Sequence, residues 1–210
     1  VRRILLAAAG SGGAFTVPPP SPYNDEFTDA GTATSRWTLS GVGGSIYKDI
    51  NGAVPGSLYL WGTCMQPAPT APYTITAECI AVDWDTGPHT GNSSVCIAQA
   101  APGPYYFVGV DVGFTGKMDL TSSYFDATGA FTGNYPSLPS ANEVTGYGYA
   151  IPHRIEVTVH SATNVDARIS FDSGGTWTTI LSGYNPGVTP NYIGLANGNS
   201  RGTWDWFRVT

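Results

Sequence analysis

Arg154-Ile155-Glu156-Val157-Thr158-Val159-His160 decides the fold class, because its apolar residues fall at every second position. That is the period of a strand with one face buried. Toward the C-terminus, Ala167-Arg168-Ile169-Ser170-Phe171 repeats the pattern, with Ile169 and Phe171 on one face and Arg168 and Ser170 on the other. Asp172-Ser173-Gly174-Gly175 then supplies turn chemistry: glycine reaches positive φ without steric cost, and an Asp side chain bonds to nearby backbone. Trp177 to Leu181 reads as the returning arm of a hairpin. Tyr192-Ile193-Gly194-Leu195-Ala196 and Trp204-Asp205-Trp206-Phe207-Arg208-Val209 read as closing strands. The stretch predicts an all-β protein.

This order of strands, with a Ser-x-Asp hairpin leading to Trp177, Tyr-Ile-Gly-Leu at 192–195 and Trp-Asp-Trp-Phe-Arg-Val at 204–209, resembles concanavalin A-like lectin/glucanase jelly rolls of the laminin-G type. Asn24-Asp25-Glu26-Phe27, followed by Trp37, looks like the opening of such domains, whose first strand pairs near the last. The resemblance implies a jelly-roll β-sandwich over residues 23–210.

Working outward, Arg36 to Leu39 and Ser45 to Ile50 read as strands, with a hairpin signal at Asn51-Gly52, a loop over 53–56 and a further strand from Ser57 to Trp61. A proline-rich loop (Pro67, Pro69, Pro72) leads to a long strand from Tyr73 to Trp84, then a polar loop from Asp85 to Ser93. Ser94 to Ala100, Tyr105 to Phe114 and Lys117 to Phe125 are the next strands, and Gly109 and Gly113 mark a bulge or a close backbone approach. Asp126 to Ala150 reads as a long irregular stretch, of the kind that is usually functional or mobile.

The N-terminus differs in kind. Residues 1–16, with Arg2-Arg3 before Ile4-Leu5-Leu6 and with Phe15, are expected to form an anchoring arm rather than a retained leader. Residues 17–22, Val-Pro-Pro-Pro-Ser-Pro, are a stiff polyproline spacer. An Arg-Arg-Ile-Leu-Leu-Ala arm, a proline run and then a jelly roll is similar in layout to minor tail and other surface structural proteins of tailed bacteriophages that infect actinobacteria. That resemblance implies a virion surface location, with residues 1–22 docked on other virion proteins.

Composition narrows the function. Charged residues make up 11% of the 210, and the nine basic ones form no stripe. With a net charge of −6, this argues against nucleic acid as partner. No apolar run approaches the roughly 20 residues of a membrane span. Cys64, Cys79 and Cys96 lack a CxxC element, so a zinc site is not expected; three buried thiols are expected in preference to one disulfide and a spare.

Ser170-Phe171-Asp172-Ser173-Gly174-Gly175-Thr176-Trp177 fits the Asp-box pattern S-x-D-x-G-x-T-W. In the families that carry it, it is a structural hairpin, and it is expected to be one here. Glycoside hydrolysis needs two carboxylates facing each other across the scissile bond. The Glu-x-Asp-x-x-Glu run of this fold's glucanases is missing, and alternation sets Glu78 on the face opposite Asp83 and Asp85. No Gly-x-Ser-x-Gly elbow is present, and His89, His153 and His160 read as surface or strand-end residues. No catalytic residues are therefore assigned. Trp37, Trp177, Trp204 and Trp206 are assigned to core or edge packing.

Carbohydrate binding is better motivated, since sugar rings stack on flat aromatic faces while amide and carboxylate groups take the hydroxyls. The candidates are Trp84, Asp85 and Asn92 around one loop, and Tyr135, Tyr147 and Tyr149 in the long stretch. Asp83 and Asp85 are the candidate calcium ligands; no other cofactor is expected. The expected function is a non-enzymatic virion structural protein, of minor tail or capsid-decoration type, displaying a lectin-like domain toward host-surface glycans and able to form a homo-oligomer. The alternative is a secreted bacterial carbohydrate-binding module.

Overall fold

The computed structural model describes residues 22–27, 37–41, 47–49, 52–54, 62–83, 91–101, 104–112, 118–125, 131–134, 143–144, 152–198 and 201–210. These form β1 (Thr38–Gly41), β2 (Tyr47–Asp49), β3 (Gly52–Val54), β4 (Gly62–Pro67), β5 (Tyr73–Asp83), β6 (Gly91–Ala98), β7 (Tyr105–Val112) and β8 (Met118–Phe125). They continue with β9 (Phe131–Asn134), β10 (Glu143–Val144), β11 (His153–Ser161), β12 (Asn164–Ser170), β13 (Thr178–Tyr184), β14 (Tyr192–Gly198) and β15 (Arg201–Val209). Among the described residues there is no helix.

Two antiparallel sheets result. One runs β13-β12-β11-β5-β15-β3-β2, and the other β1-β4-β14-β6-β7-β8-β10 with β9 also on β8. The chain crosses between sheets repeatedly, so neighbours in each sheet are distant in sequence, as a jelly roll requires. The alternating strands place Ile155, Val157 and Val159 of β11 and Val165, Ala167 and Ile169 of β12 in the interior, all at 2% exposure or less. Ile75, Ala77 and Cys79 of β5, Trp204 and Phe207 of β15, and Val95 and Ile97 of β6 complete the core between the sheets. Each large apolar side chain so buried contributes about 1.5–3 kcal/mol.

The opening segment closes this core. Asp25 and Phe207 exchange backbone hydrogen bonds of 2.8 Å in each direction. The buried Asp25 carboxylate accepts from Trp37 Nε1 and from the Phe27 amide, both at 2.8 Å. Trp37 meets Phe207 edge-on, with centroids 5.2 Å apart. The first segment thus lies against the last strand, as expected.

Several expectations are corrected. Ala53 and Val54 belong to β3, which pairs with β2 through Asp49 and Gly52, rather than to a widened loop. Gly62–Pro67 is a strand, paired on both sides by β1 and β14. Strand β6 begins at Gly91, which moves Asn92 from the loop into the sheet. Strands β9 and β10 lie within the stretch expected to be irregular. Gly109 is a close approach and not a bulge: its pairing with Ser94 is in register, and a Cβ there would run into the Ser93 carbonyl and lie 2.6 Å from Ser94 Cα. Gly113 lies outside the described residues.

Candidate functional site

The backbone first fixes where the expected site residues stand. Trp84, Asp85, Tyr135, Tyr147 and Tyr149, like Ile4, Leu5, Leu6 and Phe15 of the arm, lie outside the described residues. Asp83 ends β5, in register with Arg201 at the start of β15. Asn92 stands near the start of β6, in register with Gly198 of β14 and Asp111 of β7. Asp111 is in register with Asp119 of β8, which pairs in turn with Glu143 of β10. Asn92, Asp111, Asp119 and Glu143 therefore occupy one transverse row, at the end of the sandwich where β5 leaves one sheet and β6 enters the other. Single-strand patterns cannot find such a row, because its members come from four strands.

Strand β15 pairs Thr203 with Ala81 but Trp204 with Cys79, so β5 carries a bulge at Ile80. Five residues of strand separate Glu78 from Asp83 by about 16 Å, too far for a hydrolytic pair.

Glu78 has other partners. On the outer face of the seven-stranded sheet its Oε2 accepts from Trp206 Nε1 at 2.8 Å and from Arg154 Nη2 at 3.1 Å. The guanidinium groups of Arg154 and Arg208 lie 5.3 and 4.5 Å from the Trp206 ring centre. Arg208 also donates to Glu26 Oε1 from Nε and Nη2, at 3.1 and 3.0 Å. Trp206 is only 8% exposed, so guanidinium groups cover the ring where a sugar would have to stack. This cluster is packing, as assigned for Trp206.

The Asp-box hairpin joins β12 to β13. Ser170 Oγ accepts from the Gly174 amide at 2.8 Å and donates to Asp172 Oδ1 at 2.7 Å. Asp172 accepts from the Thr176 amide at 2.7 Å and from Thr176 Oγ1 at 2.8 Å. These bonds, the Thr176 amide first, hold the Asp172 carboxyl down at about 2. Trp177 beyond the turn is half-buried, with the Arg168 guanidinium 4.6 Å from its ring centre. The motif is the structural hairpin it was expected to be.

His153 begins β11, the strand-end position expected of it, and is buried there at 1% exposure, with ring centroids 6.2 Å from both Trp204 and Phe171. It is a core residue. His160 is exposed and pairs with Asp166 at 2.9 Å; His89 lies outside the described residues. All three cysteines are buried thiols. For calcium, the described residues bring together no group of three His, Cys, Asp or Glu side chains able to hold a metal, so they supply no such site.

No protein-family model matches the chain, and no curated protein matches its sequence. Solved structures do match. A legume lectin-like domain from Entamoeba histolytica aligns with a TM-score of 0.53 over 87% of this chain and 92% of its own, at 7% identity. The exoplasmic/lumenal domain of VIP36, in its Ca2+/Man2-bound form, aligns with a TM-score of 0.51 over 89% of this chain and 86% of its own, at 10% identity. The GH43 protein BlXynB from Bacillus licheniformis aligns at 0.50 over 89% of this chain but 39% of its own, at 12% identity. The fold is the concanavalin A-like jelly roll. At these identities the likeness extends to the fold alone.

Proposed function

We propose that this protein is a non-enzymatic, lectin-like module that binds glycans at the end of its sandwich, and that it serves on the surface of a tailed-phage particle. The observation that carries the glycan reading is the place of Asn92. It stands in a polar row with Asp111, Asp119 and Glu143, and Trp84 and Asp85 follow directly on β5 in the connection that leads to it. Carboxylate and amide oxygens suit sugar hydroxyls, and an indole suits a sugar ring. The VIP36 domain in its Ca2+/Man-bound form shares this fold, which supports the reading by analogy. The virion setting rests on the layout of residues 1–22, whose task would be to dock the module on other virion proteins.

A glycan array and a whole-cell binding assay on the full chain test the glycan reading. The wild type should bind; Asn92→Ala and the Trp84→Ala, Tyr147→Ala double variant should each lose at least about tenfold, or 1.4 kcal/mol. Running the array with calcium and with a chelator checks that no metal is needed. Absence of binding to every glycan and cell would sink the lectin reading. For the setting, deleting residues 1–22 should abolish incorporation into particles; unchanged incorporation would overturn the anchor.

A further inference from the structure

We infer that the outer face of the seven-stranded sheet holds a second saccharide pocket, between β11, β12 and β13, far from the Asn92 row. The inference rests on the glycan-binding reading above, but at a different place in the fold. The cause is local. Strand β12 pairs Ala167 with Leu181 but Arg168 with Thr179, so Ile180 is an extra residue in β13. The ladder opens there, and a pocket of about 250 Å³ lies between Glu156, Thr158, Asp166, Arg168, Thr179 and Ser182, over Ala167 and Leu181, whose side chains belong to the core.

Its polar groups are held in place. Arg168 is stacked on Trp177 at 4.6 Å and donates from Nε to Glu156 Oε1 at 2.6 Å. This bond leaves the Nη groups of Arg168 and Oε2 of Glu156 without partners among the described residues. The hydroxyls of Thr179 and Ser182 are likewise without partners there. Asp166 is already satisfied, by the Gly183 amide at 2.6 Å and by His160 at 2.9 Å.

The class of ligand follows by elimination. Two carboxylates against one arginine, itself paired, make the pocket unfavourable to an anion. A metal ion would have to displace the guanidinium from Glu156 or the bonds that occupy Asp166. What remains is a neutral ligand that both donates and accepts at neighbouring positions. A vicinal diol on a sugar ring has those properties: its hydroxyls would accept from Arg168 Nη and donate to Glu156 Oε2. A shallow site with so few contacts predicts millimolar affinity.

The test is a two-dimensional amide NMR titration of the 15N-labelled full chain with the methyl glycosides of mannose, galactose, glucose and N-acetylglucosamine. At least one should shift amides of 156–158, 166–168 and 179–183, and Ser182→Trp, which fills the pocket, should abolish those shifts. Arg168→Lys keeps the charge but loses the planar fork; it should weaken the same shifts about tenfold and so covers the case in which the bulky variant does not fold. Shifts confined to the Asn92 end would overturn the pocket and leave the glycan reading standing. No shift with any of the four sugars would overturn the pocket, and the array separately decides the reading on which it rests.

Discussion

Asp172 shows how one residue holds a turn. Its two oxygens accept three hydrogen bonds, from the Ser170 hydroxyl and from both donors of Thr176. Ser173 and Gly174 between them take positive φ, 57° and 92°. A carboxyl held down in this way contributes stability that is complete above its unfolded value of about 3.9 and is lost as pH falls toward about 2. We predict that Asp172→Asn lowers the melting temperature at pH 7 and that its deficit against the wild type shrinks through this acidic window. Melting curves between neutral pH and pH 2 check it; a deficit that stays constant with pH would show that the carboxylate charge has no part in the turn.

At the scale of elements, the sheet carrying the Asn92 row depends on glycines where strands crowd. Gly109 of β7 lies opposite Ser94 of β6, and a Cβ there would meet not only the Ser94 hydroxyl but also backbone atoms, which cannot yield as a side-chain end can. Gly109→Ala should therefore lower stability by about 1–3 kcal/mol, read as a lower urea midpoint at unchanged slope; an unchanged midpoint would mean that the strands part freely there. The same packing decides what the sequence makes legible. Strands β11 and β12 have one exposed face, so their alternation is visible and their turn is spelled out by Asp172 to Gly175. Strand β4 is buried on both faces, with Thr63, Cys64, Met65 and Gln66 all at 5% exposure or less, and a strand without a wet face has no period of two to read. Ser93 of β6, at 0% exposure, resembles a loop residue in sequence for the same reason. The candidate site is legible only as residue types: Asn92 and its loop could be picked out, but the row with Asp111, Asp119 and Glu143 exists only once β6, β7, β8 and β10 are paired. The pocket beside Arg168 depends on the Ile180 bulge, which has no signature in the sequence.

At the scale of the whole molecule, the three thiols report on different layers. Cys64 and Cys79 lie in the core between the sheets, while Cys96 belongs to a separate buried cluster with Met65, Ala98, Tyr105, Phe107 and Ala196 on the outer side of the eight-stranded sheet. Burial pushes the Cys64 thiol up to about 12 and raises that of Cys96 well above the ordinary range. A thiol must ionise to react, and these ionise only when the surrounding layer opens. A raised thiol value also means that the folded chain holds the proton more tightly than the unfolded one. That contribution is complete below the unfolded thiol value of about 8.5 and is lost as pH rises toward about 12. Native protein at neutral pH should therefore take up no thiol label at any of the three positions. Label should enter only as the protein unfolds, and the urea midpoint should fall as pH rises above about 8.5. Mass spectrometry of labelled peptides separates the cases: labelling of Cys96 while Cys64 and Cys79 stay protected would mean that the outer layer opens independently of the sandwich. Simultaneous entry at all three would mean that both layers unfold as one unit, with the cover over Cys96 bound to the global stability of the core.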